Sequence, residues 1–125
     1  MKTILFLCGL YSVALAIFHI LFWRLFKWKT ELDKLNFANR AIIQILNSRI
    51  IYFFLFVAFI CFVYPGELIT SDLGRAFLTG VSLFWVGRTI EQFVFLKANN
   101  KFIHVLTIVF IAGATLFALP VLLNN

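Results

Sequence analysis

Residues 35–64 read LNFANRAIIQILNSRIIYFFLFVAFICFVY, and the two halves of this stretch differ in chemistry. Up to Arg49 it carries Asn36, Asn39, Arg40, Gln44, Asn47 and Arg49; beyond Arg49 it has no charge and no amide. Taken as one helix it is about 45 Å long, which exceeds a hydrocarbon core ~30 Å thick. The apolar half must therefore lie in lipid, and the first two turns belong to the headgroup zone. A helix that is apolar on every side is a buried or membrane-crossing one.

Three further stretches, at about 3–23, 73–96 and 102–123, have the same character. The expected fold is all-α: an integral membrane four-helix bundle, up-down-up-down with short links, filling residues 1–125 as one domain. Composition agrees. The chain is 63% hydrophobic and 13% charged, with 17 phenylalanines and a mean hydropathy of +1.02, whereas a soluble domain carries about 25% charged residues. Four spans use ~80 residues, so no room is left for a nucleotide-binding fold or a nucleic-acid reader. The net charge of +6 sits at the flanks of apolar segments, where it sets topology and meets lipid.

The start has some features of a signal peptide: Lys2, an apolar run, and Ala14-Leu15-Ala16 as a cleavage-like triplet. The run continues past that triplet to Trp23, which predicts an uncleaved helix. It ends at Arg24, Lys27, Trp28 and Lys29, an aromatic and basic interface signature. Glu31, Asp33 and Lys34 follow in a polar link. Pro65-Gly66 is a turn signal that stops the second helix, and Ser71 or Asp72 is placed to cap the third. Ala98, Asn99 and Asn100 form a turn between Lys97 and Lys101. Pro120 falls in the last turn of the fourth segment.

Arg24, Lys27, Lys29, Lys34, Lys97 and Lys101 lie in the links after the first and third segments. Lys2 and Arg75 lie on the other side, beside Glu67 and Asp72. The positive-inside rule then puts both termini outside, and a bacterial inner membrane is the expected location.

With that orientation, the polar residues of all four segments fall toward the cytoplasmic leaflet. His19, Asn47, Arg49, Arg88 and Glu91 come to lie roughly 5–10 Å inside the boundary. Arg40, Gln44 and His104 lie nearer the surface, and Gln92 shares a face with Trp85 and Arg88. Asn36, Arg40, Gln44 and Asn47 form one stripe, with Arg49 opposite it. Cys8, Ser12, Ala16, His19 and Trp23 form another. In the fourth segment His104, Ile111, Thr115 and Ala118 form the face expected to point inward. Arg88 and Glu91, three residues apart, are expected to pair.

Polar groups at membrane depth are costly, and they mark function by default. The leading expectation is a protein that binds or transports a small anionic ligand or a lipid headgroup through His19, Arg40, Gln44, Asn47, Arg88, Glu91, Gln92 and His104. Guanidinium forks and amides suit an anion. Plainer readings stand beside it. Arg40 and Arg49 reach the headgroups by snorkelling, and the amides bond across helices as packing contacts. On those readings the chain is an accessory subunit of a larger membrane complex. Expected partners are membrane lipids, the anionic ligand, and a second copy or a larger complex; nucleic acid is excluded.

The sequence demands no cofactor. A haem held by His19 and His104, or a metal held by them with Glu91, is the remaining alternative. Cys8 and Cys61 form no CxxC pair and read as packing residues. No GxSxG, Walker or HExxH motif is present, which leans against an enzyme, although His19, Arg88 and Glu91 are the residues a headgroup-modifying enzyme would use. Size and helix count match small multidrug exporters and fluoride channels. The exporters' first-helix glutamate is absent, as is the channels' break in helix three, so no family is assigned.

Overall fold

The computed structural model describes residues 1–96 and 98–123. Lys97, counted above among the basic residues, and Asn124 and Asn125 at the end of the expected domain lie outside the described residues. Of the described residues 90% are helical, and none lies in a strand. The helices are α1 (Lys2–Ile20), α2 (Phe22–Leu25), α3 (Trp28–Glu31), α4 (Phe37–Val63), α5 (Pro65–Thr70), α6 (Asp72–Phe95) and α7 (Lys101–Leu123), with a 3₁₀ turn at Leu32–Lys34.

Among the described residues three helices are long and apolar enough to cross a membrane: α1, α4 and α7. The third expected span, α6, has the length but not the composition. It carries Asp72, Arg75, Arg88 and Glu91 among glycines, serine and threonines. Elsewhere the chain exposes side chains that a soluble protein would cover. Phe37, Leu46 and Tyr52 on α4, Leu73 and Phe95 on α6, and Ile108 and Leu122 on α7 are each more than 60% exposed. Soluble monomers do not carry apolar surface of this extent.

The chain divides into two compact units, Gly9–Ile60 and Met1–Cys8 with Cys61–Asn125. The first holds the end of α1, most of α4 and the connection between them. The expected first segment, 3–23, does not run through as one helix. At Leu21 the backbone N–H is shared between the carbonyls of Ile17 and Phe18. That bifurcation tightens the last turn and ends α1. Lys27 then takes left-handed dihedrals, φ 53° and ψ 46°, so the chain changes direction before α3. Asn36, placed within the second segment by its sequence, lies just outside α4. Its Oδ1 accepts from the Asn39 N–H at 2.9 Å, as an N-cap does.

In the second unit α4 ends at Val63, as Pro65-Gly66 predicts, but no loop follows. Proline occupies the first turn of α5, where its fixed φ and missing N–H are favourable. Ser71 caps α6, its Oγ accepting from the Gly74 N–H at 2.9 Å. A Cβ on Gly74 would overlap the Leu68 backbone, so glycine is required for α5 to lie against α6. Helices α6 and α7 form an antiparallel hairpin. Ser82 Oγ donates to the Ala114 carbonyl at 2.7 Å, and the Trp85 and Phe110 rings stack at 5.5 Å. Nearer the turn, Gln92 Nε2 donates to the Ile103 carbonyl at 3.1 Å.

Candidate functional site

The polar residues of the first unit mostly satisfy one another. Asn47 on α4 faces His19 at the end of α1. The Asn47 Nδ2 group donates to the His19 carbonyl at 3.0 Å, which fixes the amide orientation. Its Oδ1 is then the acceptor for His19 Nδ1 at 2.9 Å, so Nδ1 carries the proton. The imidazole also lies against rings, with Phe22 at 4.2 Å and Phe54 at 5.4 Å between centroids. Gln44 Nε2 turns back to the Arg40 carbonyl at 3.1 Å. Arg40 itself is half-buried and faces Asp33 at 3.8 Å. Arg49 is exposed, with its guanidinium 5.6 Å from the Tyr52 ring centroid.

The second unit is different. The Arg88 guanidinium lies over the Phe110 ring, 4.6 Å from its centroid, a cation–π position. Glu91 acts on the Arg88 charge but does not come within ion-pair distance of it, and among the described residues Arg88 has no direct hydrogen bond or ion pair. The cause is the side on which each residue falls. Arg88 shares the packed face of Trp85 and Gln92, whereas Glu91 is exposed. Gln92 is 2% exposed, and its Oε1 has no partner among the described residues. One half of this amide holds α7 and the other half is an unmet acceptor.

His104 does not join this group. It is exposed, and its Nε2 lies 3.1 Å from Asn99 Oδ1 in the preceding turn. The inward face expected for the fourth segment is also displaced. His104, Ile111 and Thr115 are exposed, and the packed face is Phe110, Gly113, Phe117 and Pro120. Large rings beside Gly113 bury more apolar area than the small and polar stripe, and they decide the facing. Helix α1 keeps its expected stripe at Cys8, Ser12 and Ala16, with His19 half-buried. Trp23, beyond the break at Leu21, is exposed. Phe110, the partner of Arg88, was not foreseen, because nothing in sequence spacing couples a ring on one helix to a cation on another.

Among the described residues no three His, Cys, Asp or Glu side chains come together as a metal site. Cys8 and Cys61 are buried thiols outside any disulfide among the described residues, and Cys8 Sγ lies 3.5 Å from the Leu116 carbonyl. A cleft of ≈ 340 Å³ is lined by Lys2, Thr3, Phe6, Cys61, Phe62 and Pro65. None of the eight candidate ligand-binding residues is among its lining. Compared with protein-family models, curated proteins and solved structures, the chain gives no match.

Proposed function

We propose that this chain is a four-span integral membrane protein that binds or transports a small anionic ligand, or an anionic lipid headgroup, at Arg88 and Gln92. One observation carries the reading: a half-buried guanidinium with no carboxylate at ion-pair distance, only Glu91 within electrostatic reach, stands four residues from a buried amide oxygen without a donor among the described residues. Residues four apart lie on one face of a helix. Phe110 takes one face of the guanidinium and leaves the N–H edge for oxygen atoms. A ligand that matches both groups offers an anionic oxygen to Arg88 and an O–H or N–H to Gln92. A protonated phosphate, or a headgroup bearing a hydroxyl or amine, has both.

In this reading α6 is the fourth span, and its lower apolarity reflects the site it carries. The excess of basic residues after the first and third segments supports termini on the outside. A C-terminal reporter active only on the outside agrees with that topology, and cytoplasmic activity reverses it.

The test is the thermal shift of the detergent-purified protein against phosphate, sulfate, small carboxylates and phosphatidylglycerol. At least one member is expected to raise the melting temperature of the parent and not that of Arg88→Ala. No shift from any of them removes the ligand reading. The reciprocal His19–Asn47 pair favours a second reading, an accessory subunit whose polar groups serve helix packing. On that reading Arg88→Ala weakens co-purification of a membrane partner and there is no isolated binding to lose.

A further inference from the structure

Residues 21–34, between α1 and α4, do not form the plain polar link that follows a membrane span. Helices α2 and α3 are single turns with no buried residue. Phe22 is the centre of a line of rings: Phe18 at 5.0 Å, Phe26 at 4.8 Å and Trp28 at 5.6 Å, with Trp23 a further 5.8 Å from Trp28. Trp23, Leu25 and Phe26 are exposed.

Charge is distributed unevenly along the same stretch. Both of its acids are already engaged. Glu31 pairs with Lys34 at 3.2 Å, and Asp33 faces Arg40 at 3.8 Å. Arg24, Lys27 and Lys29 are exposed and make no ion pair among the described residues. The left-handed backbone at Lys27 turns the chain between Arg24 and Lys29, so the cations alternate with the exposed rings.

We infer that residues 21–34 form a surface selective for anionic phospholipids, lying in the interface of the bilayer that the helices cross; this rests on the membrane reading above. The surface needs an environment that is apolar on one side and negatively charged on the other. An acidic soluble partner would leave Trp23, Leu25 and Phe26 in water. A bilayer interface accommodates tryptophan rings at headgroup depth and brings phosphates to the cations.

Two of the three tryptophans, Trp23 and Trp28, lie in this segment, which supplies a built-in probe. Trp85→Phe protein is reconstituted into vesicles of phosphatidylcholine and phosphatidylglycerol, with bromine on the acyl chains of one lipid or the other at equal mole fraction. Brominated phosphatidylglycerol is expected to quench more strongly, with a local enrichment of about fivefold. The preference should shrink with added salt, and it should vanish in Arg24→Gln/Lys27→Gln/Lys29→Gln protein. Should Trp85→Phe fold poorly, subtracting the triple variant from the unmodified protein cancels the Trp85 emission. Equal quenching by the two lipids in the parent overturns the inference and leaves the membrane reading intact, as does a preference that survives in the triple variant. No quenching by either lipid overturns both.

Discussion

Asn47 and Gln92 are both amides set in long helices, one in each unit, and they end in opposite states. Asn47 uses its carbonyl and its amine on the same residue, His19. Gln92 uses only its amine, on Ile103, and leaves a buried oxygen unmet. An unmet buried acceptor costs about 1–3 kcal/mol. The fold tolerates that cost beside Arg88, a cation that also lacks its expected partner. The contrast teaches how to sort polar residues in a long helix. Those that exhaust their hydrogen bonds on each other hold helices together. On the proposed reading, those left incomplete mark the place where a ligand is received.

The comparison breaks most visibly at Asn47. Asn47→Leu strands the His19 Nδ1–H and removes the clasp on its carbonyl. A loss of about 1–2 kcal/mol is expected, read as a lower melting temperature and a lower denaturant midpoint. An unchanged midpoint would mean that the pair is ornamental and that the two amides do not differ in kind. Gln92→Leu sharpens the contrast from the other side. It removes one bond to Ile103 but also the unmet oxygen, so the two effects offset. A stability change under about 1 kcal/mol, of either sign, is expected, together with loss of the ligand-induced shift. A large destabilisation by Gln92→Leu would make Gln92 a second Asn47. The smallest effect is expected at Glu91. With no ion pair to Arg88, Glu91→Gln and Glu67→Gln should melt within about 0.5 kcal/mol of each other. A markedly lower value for Glu91→Gln would restore the buried pair that spacing alone predicts.

Helix content and the apolar stretches were legible in the sequence because a helix apolar enough to cross a membrane leaves a compositional trace over ~20 residues. The stripe at Cys8, Ser12 and Ala16 was legible for a related reason: one helix face is periodic in sequence. The break at Leu21, the short helix after Pro65 and the displaced face of α7 were not. Each depends on a tertiary choice. Gly74 against the Leu68 backbone, and Phe110 under Trp85 and Arg88, are contacts between elements, and spacing along one element carries no record of them. The Arg88–Glu91 expectation falls short of a direct ion pair for the same reason, although Glu91 still acts on the Arg88 charge. Residues three apart can meet, but burial of Arg88 with Trp85 and exposure of Glu91 drew the two apart.

Lys27 is the one residue other than glycine with positive φ among the described residues. A side chain in that conformation costs about 1–2 kcal/mol, which glycine avoids at some cost in chain entropy. Lysine there sets backbone ease against surface charge. Lys27→Gly separates these demands: the variant should fold at least as well and hold anionic lipid less firmly. A stabilising screen would therefore favour this substitution, and in doing so it would erode lipid selectivity. Position 27 is one where robustness and membrane recognition cannot be optimised together.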